Sequence, residues 1–317
     1  MGNAWSLCPV RTTTCVPGVG LCVSLKHGLV IVSDDDTQQL RMYSLENGSL
    51  VRSVGGEGRG KGQFSFSVGG LCISPDGERV LVADYWNNRV QEVRVTDGSW
   101  VRFLGHGIVK WPEYLDCSAD VLAVSETGDD RVSVLSYRDG GLLARCGFGD
   151  IDAGGLSGPR GLRLLAAGNG LVVADCRADR LCVFTLDGEF VKAINTEQSG
   201  TRFPTDVLEC VEDGSFAVAN CYSAHSYEYH IMRVSPTGEV LGTLCNPGYD
   251  RISQSTRMAA LPDGGLVVRE ASRRRLFVFR GDGLRLAWVT ACVTLVTCDW
   301  RAPSSPLTTK RVRYGGT

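Results

Sequence analysis

The feature that most constrains this chain is a sixfold recurrence. The segment "VADYWNNRV" (82–90) has five relatives: "VSDDDTQQL", "VSETGDDRV", "VADCRADRL", "VANCYSAHSYEYHI" and "VREASRRRL". An acidic or amide residue returns at Asp34, Asp84, Glu126, Asp175, Asn220 and Glu270. Five positions on stand Gln39, Arg89, Arg131, Arg180 and Arg275, and the fifth copy is lengthened by five residues. A second signal runs in step with the first. Tight turns "ENG", "TDG", "RDG", "LDG", "PTG" and "GDG" place Gly48, Gly98, Gly140, Gly188, Gly238 and Gly283 at intervals of 50, 42, 48, 50 and 45 residues. Glycine supplies the positive φ that such hairpins require, and a sustained period of this length marks a repeat architecture.

Between the turns lie short apolar runs such as "RVLVA", "GLVVA" and "FAVA", each followed by alternating segments such as "VQEVRV" and "SWVRFL". Continuous apolar runs fit strands covered on both faces, and alternation fits half-exposed strands. With the preceding segment ("GLCIS", "GLRLL") each unit counts four strands. A single unit cannot cover both of its faces, so the units must stack and the array must close. The expected fold is all-β: a six-bladed β-propeller with four antiparallel strands per blade. It is expected to span residues 14–299, with 1–13 as a closing strand or lipid anchor and 300–317 as a disordered tail.

The series "GKGQF", "GLCISPDG", "VLVADYWNNRVQEV" and a "DG" turn resembles the NHL repeat, over about residues 14–291 and most closely in the second unit. The resemblance implies a propeller that binds a partner on its loop face. NHL propellers often recruit substrates for RING-type ubiquitin ligases; the 317 residues hold no RING, B-box or coiled coil, so the implied role is recruitment and not transfer of ubiquitin.

Bulk properties exclude several classes. Thirty-three basic residues against 35 acidic ones give a net charge of −2, too little to draw the protein to DNA or an anionic membrane. The 13 cysteines contain no C-x-x-C pair, and the regular interval Cys8, Cys15, Cys22 lacks the close spacing of thiolate zinc ligands. Reduced thiols in a cytoplasmic protein are expected. "MGNAWS" fits the myristoylation pattern, so Gly2 is a candidate acylation site, with Cys8 as a second one and membrane contact only through such acyl chains. The apolar run from Leu286 to Cys298 is too short to span a bilayer.

Candidate chemistry is weighed against that repeat. Asp84–Arg89, Glu126–Arg131, Asp175–Arg180 and Glu270–Arg275 each join the end of one strand to the start of the next. They are expected to fasten hairpins, since one active site does not need several copies. The glycine loop Gly55–Gln63 approaches a phosphate loop but has Gly62 where the hydroxyl belongs and no helix behind it. His225 and His230 sit in the lengthened fifth hairpin, read as a loop, and His27 on the opposite face, a poor set for the central zinc of propeller lyases. Asp34, Glu126 and Asn220 are the candidates for a channel calcium, yet all occupy the repeat's turn position. No catalytic constellation, metal or cofactor is expected. Arg251, Arg257, Arg269, Arg273, Arg274, Arg275 and Arg280 crowd the sixth unit and support an alternative, RNA-binding reading, while Asp34, Asp35 and Asp36 make the first unit acidic. A metal-dependent lyase or hydrolase at the central channel is the other alternative.

Candidate contacts for a protein partner are the loop residues Tyr85, Trp86, Asn87, Arg177, Tyr222, Tyr227 and Arg273, because aromatics and arginines on rigidly held loops make interface hot spots.

Overall fold

A computed structural model of the chain describes residues 5–6, 12–14, 18–65, 68–195, 202–210, 213–222, 228–245, 256–261, 265–270, 275–280 and 291–293. Strands dominate, with short 3-10 turns between some of them. Two short strands come first, β1 (Trp5–Ser6) and β2 (Thr12–Thr14). Sheet one comprises β3 (Leu21–Ser24), β4 (Leu29–Asp34), β5 (Gln39–Ser44) and β6 (Leu50–Gly55). Sheet two comprises β7 (Val68–Ile73), β8 (Arg79–Asp84), β9 (Arg89–Arg94) and β10 (Trp100–Leu104). Sheet three comprises β11 (Pro112–Cys117), β12 (Val121–Glu126), β13 (Arg131–Ser136) and β14 (Leu142–Cys146). Sheet four comprises β15 (Pro159–Leu164), β16 (Gly170–Asp175), β17 (Arg180–Thr185) and β18 (Phe190–Asn195). Sheet five comprises β19 (Pro204–Cys210), β20 (Ser215–Tyr222), β21 (Glu228–Val234) and β22 (Val240–Cys245). Sheet six holds β23 (Thr256–Ala260), β24 (Leu266–Glu270), β25 (Arg275–Arg280) and β26 (Ala291–Val293).

Each sheet is an antiparallel meander running outward in chain order. The innermost strands β3, β7, β11, β15, β19 and β23 touch in succession, and β23 meets β3. Apolar layers fill every gap between neighbouring sheets, including the last: Leu21, Val30 and Val32 of sheet one pack on Val267 and Leu276 of sheet six. The molecule is therefore an all-β propeller. β4, β8, β12 and β16 are buried almost throughout, as strands covered on both faces must be. The hairpin glycines Gly48, Gly98, Gly140, Gly188 and Gly238 all have positive φ.

Ring closure uses both ends of the described chain. β1 runs parallel to β22 on the outer edge of sheet five. β2 pairs with Arg275–Phe277 of β25, and β26 pairs with Val278–Arg280 of the same strand. The outer edge of sheet six is thus shared between an N-terminal and a C-terminal strand. Arg269 seals the inner side of this junction: fully buried, it donates to the Gly20 carbonyl, to Ser33 Oγ at 3.4 Å and to the Ser33 carbonyl at 2.8 Å. Gly2, Cys8 and the tail 300–317 lie outside the described residues.

Candidate functional site

The hairpins joining second and third strands, together with the links between sheets, form one face of the propeller. In the ladder register Asp84 stands opposite Arg89, Glu126 opposite Arg131, Asp175 opposite Arg180 and Glu270 opposite Arg275. Only the backbone of the last pair is among the described residues. Asp84 is fully buried; Arg89 Nε donates to its Oδ2 at 2.8 Å. The guanidinium continues outward to the carbonyls of Arg59 (2.8 Å), Gly60 (3.0 Å) and Gln63 (3.2 Å), with its plane over the Phe103 ring. The other carboxylate oxygen accepts the Ser65 amide at 3.1 Å.

This is more than a hairpin fastener. The carboxylate and the arginine both grip the link arriving from sheet one, the glycine loop 55–63. Gln91 completes the grip, donating to Asp84 at 2.8 Å and accepting from the Gly62 amide at 3.1 Å. The loop's glycines serve backbone geometry: Gly55, Gly56, Gly58 and Gly62 all have positive φ.

The same device recurs. Glu126 accepts Arg131 at 2.6 Å and the Lys110 amide at 2.8 Å. Asp175 accepts Arg180 at 2.9 Å and the Ser157 amide at 2.6 Å, while Arg180 also donates to the Gly155 carbonyl at 2.7 Å. Burial pushes the Asp175 carboxyl up despite these donors. Sheet one departs from the pattern, since Asp34 pairs with Arg41 (2.9 Å) and not with Gln39. Burial opposes ionisation there too, but the Thr37 hydroxyl, Arg41 and the Asp36 amide together hold the Asp34 carboxyl low.

A forward-reaching contact complements this backward grip. Asn88, Asp130 and Asp179 adopt left-handed backbone at φ 50–52°, and their side-chain oxygens accept amides of the next link: Trp111 (2.8 Å), Gly158 (2.6 Å) and Phe203 (2.7 Å). In sheet one Asp35 takes this part, accepting the Val68 amide at 3.1 Å. The hairpins of sheets two, three and four thereby each tie their own link to the following one. Sequence reading missed this position, although "NR" or "DR" closes three of the copies.

The amide acceptors change what the face presents. Asn87 donates to Asp84 and to the Gly58 carbonyl, each at 3.0 Å, so it belongs to the scaffold. Trp86 is 56% exposed, its neighbour Tyr85 meeting it edge-on at 5.3 Å between centroids. Arg177, the second residue of its hairpin like Trp86, is 66% exposed at the side chain. Trp111 and Phe203 are 36% and 38% exposed and hold left-handed φ of 45° and 51°, an uncommon state for bulky residues that marks places worth attention in a scaffold.

These large side chains obey a reciprocal rule between a link and the hairpin beside it. A Cβ on Gly128 would lie 2.8 Å from the Trp111 ring, and one on Gly158 would lie 3.1 Å from the Arg177 stem. Tryptophan on the link faces glycine on the hairpin in sheet three; in sheet four glycine on the link faces arginine. In these two sheets one bulky group covers the gap between link and hairpin.

Several expected positions fall elsewhere. Tyr222 ends strand β20 opposite Glu228, and His230 lies in β21 opposite Asn220, so the lengthened fifth hairpin is extended ladder at these positions and not loop. Tyr227, His225 and Arg273 lie outside the described residues. Arg257 and Arg269 are buried and offer no surface charge; Arg257 stacks on Tyr114 at 4.0 Å. His27 meets Glu78 at 3.2 Å. Among the described residues no group of three His, Cys, Asp or Glu is placed to hold a metal ion.

The fold and this face define a β-propeller repeat protein. No family model matches the chain, and no curated protein matches it in sequence. No helix among the described residues is long and apolar enough to cross a membrane.

Proposed function

We propose that this protein is a non-catalytic interaction scaffold of the NHL propeller class, which binds a protein partner through the hairpin and link face. The observation that carries the reading is the arc Trp86, Trp111, Arg177 and Phe203: exposed bulky groups on hairpins and links that side-chain hydrogen bonds hold in place. Loops on a rigid frame lose little freedom on binding, and tryptophan and arginine are the side chains that dominate interface energies.

A protein partner suits this face better than a polyanion. Exposed Arg59, Lys61 and Lys110 near sheet two give way to Asp150 and Asp152 in the link to sheet four, with half-exposed Asp129 and Asp130 between. A nucleic-acid backbone following the arc would meet those carboxylates. The resemblance in "GKGQF" and "VLVADYWNNRVQEV" supports recruitment of a substrate in ubiquitination as the setting. The free state of the described cysteines supports the cytoplasm as its place.

The test is a tagged pull-down of the full chain with and without ribonuclease, read by mass spectrometry. A partner recovered equally under both conditions is expected. Recovery abolished by ribonuclease, or stoichiometric zinc or calcium in the purified protein, would overturn the reading.

A further inference from the structure

Two cysteines on the innermost strands meet across the gap between sheets two and three. Cys72 lies in β7 and Cys117 ends β11; the Cys72 S–H donates to Cys117 Sγ at 3.5 Å, and Cys117 S–H donates to the Ile73 carbonyl at 3.3 Å. Cys72 is buried, whereas Cys117 is only partly covered. Arg163, on the next innermost strand, is close enough for its charge to act on Cys72 and on Cys22 of β3.

We propose that Cys72 and Cys117 form a peroxide-oxidisable pair whose disulfide cross-links the innermost strands of sheets two and three. Cys117 is the partly exposed residue of the two. As thiolate it attacks one peroxide oxygen; the O–O bond breaks, and the departing hydroxide takes up the thiol's proton as water, leaving Cys117 as a sulfenic acid. The Cys72 sulfur then attacks the Cys117 sulfur. The S–S bond forms, the S–O bond breaks, and the hydroxyl leaves with the Cys72 proton as a second water. Two electrons pass from the two sulfurs to one peroxide, so two thiols and one hydrogen peroxide give one disulfide and two waters.

The order of events follows from the surroundings. Burial and the neighbouring Cys117 hold the Cys72 thiol protonated well above the usual range, which suits the resolving and not the attacking role. The sulfurs must close from 3.5 Å to about 2.05 Å. The bond would enclose residues 72–117, the stretch that carries Asp84, Arg89, Trp86 and Trp111. Oxidation would therefore constrain the segment on which the proposed interaction face is richest, although the thiol chemistry does not depend on that face binding anything.

The experiment treats the folded full chain with hydrogen peroxide, alkylates the remaining thiols and maps cysteines by mass spectrometry. The expected product is a Cys72–Cys117 linked peptide about 2 Da lighter than the sum of its reduced parts, restored by dithiothreitol. Cys117→Ser and Cys72→Ser, or the alanine variants where serine impairs folding, should abolish it, while Cys22→Ser should leave it intact. A Cys22–Cys117 bond, over-oxidation of Cys117 with Cys72 still a thiol, or no change at either residue would each overturn the proposal, and the wild-type map decides even where a variant does not fold.

Discussion

Arg89 Nε lies 2.8 Å from Asp84 Oδ2 while the other Asp84 oxygen holds the Ser65 amide at 3.1 Å, so one buried carboxylate joins a hairpin to the link before it. Removing the carboxylate strands a buried guanidinium and orphans a backbone donor. Asp84→Ala should cost about 3–5 kcal/mol, the usual penalty for breaking a buried pair. Trp86→Ala, two residues away and exposed, should stay within about 0.5 kcal/mol of wild type. Urea unfolding midpoints of the two variants check the contrast.

Asn88 separates backbone strain from hydrogen bonding. Its φ of 51° suits asparagine or glycine, and its Oδ1 accepts the Trp111 amide at 2.8 Å. Asn88→Gly loses only the acceptor, about 1 kcal/mol. Asn88→Ala loses the acceptor and also places a Cβ in the left-handed region, a further cost of about 1–2 kcal/mol. Thermal midpoints should fall in the order wild type, Asn88→Gly, Asn88→Ala.

The innermost ring depends on close backbone approach. A Cβ on Gly161 would lie 2.5 Å from Asp206 Cα and 3.0 Å from the Thr205 carbonyl oxygen. Neither is a flexible side-chain tip that can move aside. Gly161→Ala should destabilise by about 1–3 kcal/mol, as overpacking does, whereas a Cβ on exposed Gly168 would meet no atom within 4 Å and would pay only for its positive φ. Gly161 is not among the positive-φ glycines, so its loss in urea midpoint carries no such cost and reads the steric part directly.

Asp35 gives the fold a predictable response to pH. Burial raises its carboxyl to about 6, against the partial relief of the Val68 amide and Arg269. A raised folded-state value means that the folded protein holds this proton more tightly than the unfolded chain. Its destabilising effect is absent below the ordinary aspartate value of 3.8, grows as pH rises from there to about 6, and is constant above. Asp35→Asn, which keeps a carbonyl oxygen for Val68, should remove this contribution. Unfolding free energies of wild type and variant should diverge between about pH 4 and 6 and run parallel above, with a slope difference of at most about 1.4 kcal/mol per pH unit for one proton.

Much of this was legible because repeats expose their own grammar. The spacing of Asp84 to Arg89 and its copies identified opposed ladder positions, and the glycines from Gly48 to Gly238 identified hairpins of positive φ. What escaped reading depends on neighbours that a single unit does not contain. Asn88 bonds Trp111 of the next sheet, a target that exists only once the ring is assembled. Arg41 takes the carboxylate of Asp34 in place of Gln39 because residues two apart on a strand share a face, which spacing alone does not rank. Arg257 and Arg269 counted as surface charge in the sequence, yet both lie buried, since an arginine can be covered wherever aromatic faces and carbonyls receive it. The Cys72–Cys117 contact joins residues 45 positions apart and follows from the packing of adjacent innermost strands.

The most direct test of the interaction arc is quantitative recovery of partner proteins, after ribonuclease treatment, on wild type and on the double variant Trp86→Ala, Trp111→Gly. Glycine is the residue that sheet four itself carries at the position of Trp111. An unchanged cooperative melt is expected, with a loss of recovery of at least about tenfold, the equivalent of about 1.4 kcal/mol. Full recovery on the double variant would contradict the arc as the binding surface.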